Sequence, residues 1–178
     1  VEVCFVAYDI LPVLLPQFAN DGVTAGHKEW LQIIGMSDGV ICISKTVANE
    51  VDAWMKEYGP KKIRRFTVNW FHLGADSESS APSNGIPENS DLILNKLKNS
   101  YSFLMVGTVE SRKGYSQTLS SFEILWKQGV DVILVIAGKP GWFVDELINK
   151  IRNHTEFGGR LYWPEGISDE YLEKLYSS

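Results

Sequence analysis

Residues Phe103 to Gly114, with the sequence FLMVGTVESRKG, decide the fold of this chain. The first four residues are apolar, and the run stops at Gly107, as a buried strand does when it reaches the edge of a sheet. A polar turn with two adjacent cations, Arg112 and Lys113, follows, and a segment with helical periodicity comes next. The N–H groups and the dipole at a helix N-terminus favour an anion. The pattern therefore predicts a strand, a basic turn and a helix that together bind a negatively charged group, a phosphate above all.

Strand-like and helix-like segments alternate on both sides of this stretch. Such an alternation is typical of parallel sheets with right-handed crossovers, so the predicted fold class is α/β, with sheets covered on both faces. Pro12 and Pro16 are expected to exclude a regular helix directly after the first strand. The predicted strands are Val1–Ala7, Gly39–Ile43, Ile63–Leu73, Tyr101–Gly107, Asp131–Gly138 and Arg160–Trp163. The predicted helices are Ala25–Met36, one capped by Ser44, Leu92–Leu97, Tyr115–Lys127, Trp142–Asn153 and one capped by Ser168.

Composition changes sharply over residues 76–91, DSESSAPSNGIPENSD, which are rich in Ser, Pro and Asn. Such a stretch has little to bury and indicates a linker. We expect a first unit at residues 1–75, a linker at 76–100 that includes a short helix, and a second unit at 101–178.

Charge and hydropathy exclude several classes of protein. The net charge of −5 argues against a broad nucleic-acid-binding surface. The most apolar stretch, Val3 to Leu15, is interrupted by Asp9, so no membrane-spanning helix is predicted. Cys4 and Cys42 each lie in an apolar run and are expected to be buried, reduced thiols of a cytoplasmic protein, with a disulfide as the alternative. No Cys-x-x-Cys or His-x-x-x-His spacing occurs, so no metal site is predicted.

Three loops that contain glycine leave successive predicted strands of the second unit. They are residues 107–114 (the first loop), 138–141 (the second loop) and 164–169 (the third loop). Ligands of parallel α/β sheets bind where the carboxyl ends of strands meet, so the three loops predict a ligand crevice. Neither a dinucleotide fingerprint nor a Walker A loop is present, and a solvated basic helix start with ordinary turn glycines stays open as the alternative. Trp142, beside the second loop, is a candidate to line the crevice.

Tyr8 and Asp9 follow the first predicted strand in the same way and are site candidates in the first unit. In the alternative interpretation, Asp9 bonds the neighbouring backbone in a turn and has no contact with a ligand.

Three segments of the second unit, FLMVGTVESRKGYSQTL, VILVIAGKPGW and LYWPEGISDEYLEKLY, together resemble the nucleotide-sugar-binding half of family 4 (group 1) retaining glycosyltransferases, which have the GT-B fold. In the first unit, FVAYDILPVLLPQF, GVICIS and FHLGAD resemble the later part of that family's N-terminal domain and its crossover. The resemblance covers nearly the whole chain and is strongest to bacterial mannosyltransferase-like members that build surface polysaccharides. It implies two incomplete Rossmann-like units, with residues 1–75 on the acceptor side and residues 101–178 on the donor side.

The resemblance also implies roles for residues of the first and second loops. Arg112 and Lys113 match the pair that binds the diphosphate of the donor. Gly107 and Thr108 match the turn that lets phosphates approach the backbone, and Gly138 would lie beside the nucleoside.

Further roles fall on the third loop and on the first unit. Gly166 and Ile167 would meet the base, and Tyr8 and Asp9 would face the transferred sugar as catalytic-site candidates. Many relatives have His where this chain has Tyr8, so the resemblance implies no catalytic His here.

The implied reaction is transfer of a sugar from a nucleotide-sugar donor to a glycan or lipid-linked acceptor, with retention of configuration and without a metal or other cofactor. GDP-mannose is the first expectation for the donor and a UDP-sugar the second. Fixed cations and a helix terminus would stabilise the charge of the departing nucleoside diphosphate. The implied location is cytoplasmic, with peripheral association at the inner face of the membrane allowed.

Relatives continue beyond the position of Ser178 into a glycine-rich segment with two spaced glutamates, and they have additional strands before Val1. We therefore expect the chain to be an internal fragment that is inactive alone. Two other interpretations stay open: a non-catalytic nucleotide- or phosphate-binding module, and a nucleotide-sugar epimerase that binds its ligand without transfer to an acceptor.

Overall fold

The computed structural model describes residues 2–61, 65–74, 81–88 and 90–178. The chain divides into two compact units, Val1–Glu78 and Ser79–Ser178. Each contains a three-stranded parallel sheet whose strands lie side by side in sequence order, so the predicted α/β class with parallel sheets is confirmed. The strands are Cys4–Ala7 (β1), Gly39–Cys42 (β2), Thr67–Trp70 (β3), Tyr101–Val106 (β4), Val132–Ala137 (β5) and Leu161–Tyr162 (β6). The helices are Leu11–Leu14 (α1), Asp21–Met36 (α2), Lys45–Tyr58 (α3), Ser90–Lys98 (α4), Tyr115–Lys127 (α5), Asp145–Arg152 (α6) and Asp169–Tyr176 (α7).

The first unit packs helices against one face of its sheet. Ala7 and Cys42 lie in the core on that face, together with apolar residues of α2 and α3. Successive strand residues point to opposite faces, so Cys4, Val6 and Ile41 lie on the other face, where they are exposed. The expected burial of β1 on both faces is therefore wrong, and so is the expected burial of Cys4. Burial raises the pKa of the Cys42 thiol, which keeps it protonated.

The prolines that follow β1 are part of helical turns and do not exclude them. Pro12 lies in the first turn of α1, where a backbone N–H has no acceptor within the helix. Pro16 begins a 3-10 turn, Pro16–Phe18. The helix predicted to begin near residue 25 begins four residues earlier, because the Asn20 side chain caps it by accepting a hydrogen bond from Val23 N at 2.7 Å.

The second unit buries its central strand, β5, on both faces. Alternate β5 residues pack in two core clusters, one with α5 and α6 and the other with α4 and α7. Every residue of β5 is buried, as its continuous apolar run predicted. Leu94 and Leu97 of α4 belong to the second cluster although they lie inside the predicted linker at 76–100. The assignment of residues 1–75, 76–100 and 101–178 to parts of a larger enzyme stays a prediction.

Residues 83–85 form hydrogen bonds with the start of α7. The backbone N–H and the hydroxyl of Ser83 donate to Asp169 Oδ2 at 2.8 and 2.7 Å, and Gly85 N donates to Glu170 Oε2 at 2.9 Å. Ser168 caps α7, as predicted, and its hydroxyl also donates to the Gly85 carbonyl. The backbone and side-chain hydrogen bonds from Ser83 lower the pKa of the Asp169 carboxyl, because they stabilise its ionised form.

Candidate functional site

Gly107 ends β4 in a conformation that glycine adopts most easily, with a φ of 134°. Its N–H donates to Ala137 O at 2.9 Å, and its carbonyl accepts a hydrogen bond from the Tyr115 hydroxyl at 2.7 Å. The Lys113 ammonium lies next to it: a Cβ at position 107 would be 3.2 Å from Lys113 Nζ and 3.8 Å from Tyr115 Oη. The first loop therefore places a cation against half-buried backbone beside a helix N-terminus, an arrangement that favours a phosphate.

The two cations of the first loop differ in their surroundings. Both lie at the end of a 3-10 turn, Ser111–Lys113, which Gly114 connects to α5 with a φ of 74°. Arg112 Nε is 2.8 Å from Glu110 Oε2, so a carboxylate already compensates part of its charge. Among the described residues, no ion pair involves Lys113. The first N–H groups of α5 have no acceptor within the helix and add to the positive potential beside these side chains.

The second loop interlocks with the first. A Cβ on Gly138 would lie only 1.9 Å from Gly107 O, so the close approach of the first and second loops requires glycine at position 138. Val109 N donates to Lys139 O at 2.9 Å, and Gly141 N donates to Val109 O at 2.9 Å. Parallel pairing thus continues past the ends of β4 and β5 and joins the two loops. This contact explains Gly138 without a ligand, and its predicted place beside the nucleoside stays a prediction.

Trp163, at the end of β6, ties the third loop to the second. Its indole Nε1 donates to Gly138 O at 2.8 Å. The Arg152 guanidinium lies 5.3 Å from the centre of the indole ring, and Arg152 Nη2 is 2.7 Å from Glu165 Oε1 in the third loop. The three loops therefore meet at one edge of the second sheet, as their sequence positions predicted.

Gly166 and Ile167, the predicted base contacts, have different environments. Gly166 is exposed with a φ of 63°, and apart from its two chain neighbours no described residue has an atom within 4 Å of the position that a Cβ would take. Ile167 is half-buried and packs against the core cluster of α4 and α7. There is open space beside the backbone of Gly166, and contact of these residues with a base stays a prediction.

Residues 142 and 143 are not helical, in contrast to the predicted helix from Trp142. The helix α6 begins at Asp145, and the side chains of Trp142 and Phe143 are 69% and 72% exposed. Phe143 has a φ of 56°, which costs a non-glycine residue about 1 kcal/mol or more. The hydrogen bond from Gly141 N to Val109 O joins this segment to the first loop. Helical periodicity in the sequence does not indicate such a contact.

Sequence reasoning misses the roles of Tyr115 and Trp163. Periodicity assigns Tyr115 only to the apolar face of its helix, and Trp163 only to the end of a strand. Burial, with a smaller contribution from the Glu110 carboxylate, raises the pKa of Tyr115, so its hydroxyl keeps the proton that it donates to Gly107. The sequence offers one indication of these contacts: the hydroxyl of a buried Tyr and the indole N–H of a buried Trp usually have a hydrogen-bond partner.

Tyr8 and Asp9 lie at the carboxyl end of β1 in the first unit. Asp9 Oδ1 accepts a hydrogen bond from Leu11 N at 3.0 Å, which is the turn contact left open by the sequence. Tyr8 is exposed. The proposed contact of these two residues with a sugar stays a prediction.

A groove of about 690 Å³ in the first unit contains none of the predicted site residues. It lies between α1, α2 and α3, and its lining includes Trp54 and Tyr58, whose rings are 5.8 Å apart. Size alone does not identify a site, and the loops of the second unit are the stronger candidate because they combine cations with a helix N-terminus.

Neither a metal centre nor a membrane-spanning helix is found in residues 2–61, 65–74, 81–88 and 90–178. No group of three or more His, Cys, Asp or Glu side chains there could hold a metal ion. None of the helices in that part is long and apolar enough to cross a bilayer.

Comparison with known proteins agrees with this geometry. The family model described as glycosyl transferases group 1 matches residues 88–178, which contain all three loops. Three relatives from Escherichia coli, each named serotype-specific mannosyltransferase WbdA, are 44%, 44% and 43% identical to the chain over 177 residues. These matches cover 98% of the chain, which spans only 22%, 21% and 22% of the relatives' length. No solved structure gives a significant match. With a family match over more than half of its length, the chain belongs to the group 1 glycosyltransferases.

Proposed function

We propose that this chain supplies the donor-diphosphate site of a mannosyltransferase that builds a surface polysaccharide. The observation that carries the proposal is the first loop, where Lys113 Nζ lies against the backbone of Gly107 at the N-terminal end of α5. The relatives are named as mannosyltransferases, which favours GDP-mannose as the donor, with a UDP-sugar as the alternative. The proposed acceptor is a glycan or a lipid-linked glycan, held at the cytoplasmic face of the membrane.

The chemistry of the first loop suits the departing group. Cleavage of the sugar–phosphate bond leaves negative charge on a nucleoside diphosphate. Lys113 and Arg112 stabilise that charge more strongly in the transition state than in the bound donor, which is what accelerates the reaction. Because two fixed cations and a helix N-terminus are available, we propose that transfer requires no metal ion. We propose retention of configuration from the family. NMR of the product, which determines its anomeric configuration, tests this.

The other predicted contacts complete the proposed site. Gly107 and Thr108 provide the backbone that the phosphates approach, Gly138 lies beside the nucleoside, and Gly166 with Ile167 meets the base. In the first unit, Tyr8 and Asp9 face the transferred sugar.

Calorimetric titration of the intact protein with GDP, GDP-mannose, UDP and UDP-glucose tests the donor site. Lys113→Ala is expected to weaken binding by about 1.5–3 kcal/mol, or about 10- to 150-fold, as the loss of a charge-assisted contact should. Lys127→Ala is the matched control, since Lys127 is an exposed lysine at the opposite end of the same helix. Equal affinities of the two variants would refute the proposed role of Lys113.

An activity assay separates the proposed enzyme from its alternatives. The intact protein should transfer mannose from GDP-mannose to a mannan oligosaccharide, and Lys113→Ala should reduce that rate. Nucleotide binding without transfer would favour the non-catalytic module, and conversion of the donor sugar without an acceptor would favour an epimerase.

A further inference from the structure

Two glycine carbonyls in the interlocked loops are each bound by an aromatic side chain from the core. Gly107 O accepts from the Tyr115 hydroxyl at 2.7 Å, and Gly138 O accepts from the Trp163 indole at 2.8 Å. Tyr115 is 1% exposed and Trp163 is 7% exposed, so both donors are held in place by packing. The same device therefore occurs once in each loop.

The direction of a peptide group matters beside an anion. In a planar trans peptide, the carbonyl and the following N–H point in opposite directions. Tyr115 holds Gly107 O on the core side, so the N–H of Thr108 faces the other way. Trp163 holds Gly138 O on the β6 side, so the N–H of Lys139 faces the first loop, as does Lys139 O, which accepts from Val109 N at 2.9 Å. Among the hydrogen bonds of the described residues, neither of these two N–H groups has an acceptor. The Thr108 N–H is therefore available to a ligand oxygen, whereas the Lys139 N–H lies where the second loop packs against the first.

Glycine makes such control necessary. Glycine has a wide range of backbone conformations, so the peptides that follow Gly107 and Gly138 can rotate more easily than others. A rotated peptide would turn its carbonyl dipole toward the phosphate and replace an attraction by a repulsion.

We propose that Tyr115 and Trp163 are positioning residues of the donor site. Tyr115 fixes the peptide after Gly107 so that Thr108 N–H binds a donor oxygen, and Trp163 fixes the peptide after Gly138, against which the first loop packs. The role rests on the proposed function, because it names the groups that complete the same site. Neither aromatic residue is a catalytic residue, since each acts through a glycine peptide.

The chain offers a matched control for each position. Trp126 is also 7% exposed and donates its indole N–H to a carbonyl, that of Val132, at 2.8 Å. Val132 begins β5 and Gly138 follows its other end, so the two tryptophans make the same bond at opposite ends of one strand. Tyr171 is as buried as Tyr115, at 1%, and its hydroxyl donates no hydrogen bond to any described residue.

The experiment compares Tyr115→Phe and Trp163→Phe with Tyr171→Phe and Trp126→Phe in the intact protein. Titration with GDP is expected to show about 3- to 10-fold weaker binding in the first two variants, the usual effect of one hydrogen bond, and unchanged affinity in the controls. Thermal unfolding serves as the stability readout, and we expect Trp163→Phe and Trp126→Phe to lose similar stability.

Amide hydrogen exchange provides a second readout that needs no nucleotide. Trp163→Phe should speed exchange at Val109 N–H and Gly141 N–H, whose hydrogen bonds join the two loops, whereas Trp126→Phe should not. Equal exchange at these amides in the two variants would overturn the positioning role, even if GDP failed to bind. Failure of the proposed function has a different result: GDP does not bind the wild-type protein, or Lys113→Ala leaves its affinity unchanged.

Discussion

The substitution Gly138→Ala tests the interlocking of the two loops most directly. A Cβ at position 138 would lie 1.9 Å from Gly107 O, 2.6 Å from Gly107 C and 3.3 Å from Thr108 N. All three neighbours are backbone atoms, so no side-chain rotation relieves the clash. A carbon and a carbonyl oxygen normally stay more than about 3 Å apart, which requires a displacement of about 1 Å. Overpacking of this kind usually costs about 1–3 kcal/mol. We expect the upper end of that range, because the backbone must move.

Urea unfolding and GDP titration measure the two consequences of Gly138→Ala. The displacement should lower the free energy of unfolding by about 3 kcal/mol and also weaken GDP binding, because it moves Gly107 away from Lys113. Gly26→Ala is the control: Gly26 lies in α2, and apart from its chain neighbours and the backbone of its own helix, no atom of the described residues is within 4 Å of the place that an alanine methyl group would occupy. Alanine there should stabilise the helix by about 0.5–1 kcal/mol. Near-wild-type stability together with near-wild-type GDP affinity in Gly138→Ala would refute the reasoning.

Two further predictions concern charges around the loops. Glu110→Gln removes the carboxylate that pairs with Arg112, so GDP should bind up to about 5-fold more tightly at low salt, and calorimetry would contradict this by finding weaker binding. Because Asp169 has a lowered pKa in the folded state, its contribution to stability is present above its ordinary pKa and is lost as the pH falls through the folded value. Hydrogen exchange at Ser83 N–H, which donates to Asp169 Oδ2, should therefore accelerate in that acidic range. Asp169→Asn should show faster exchange at Ser83 already at neutral pH, and unchanged exchange in the variant would exclude the role of Asp169.

The sequence is sufficient to predict the strands and helices whose burial follows one regular pattern along their length. All residues of β5 are buried, so a continuous apolar run predicts it, and the helical face of α5 is equally regular. The meeting of three loops at one edge follows from parallel topology alone.

Contacts that depend on tertiary structure could not be predicted. The hydrogen bond from Trp163 to Gly138 exists because β6 lies next to β5 in a particular register, which no local pattern contains. The late start of α6 has a similar cause, since Gly141 pairs with Val109 before the helix begins. Cys4 was expected in a core, but among the described residues only the opposite face of that sheet is covered by helices.

The ladder between the first and second loops has a consequence for protein engineering. Because hydrogen bonds join Val109 to Lys139 and Gly141, the backbone conformation of each loop depends on that of the other. If one loop is replaced by that of a relative to change donor preference, the other loop keeps a conformation that fits the original sequence. Residues 107–114 and 138–141 should therefore be exchanged as a pair, with Trp163 retained, and libraries that vary one loop alone should consist mainly of misfolded proteins.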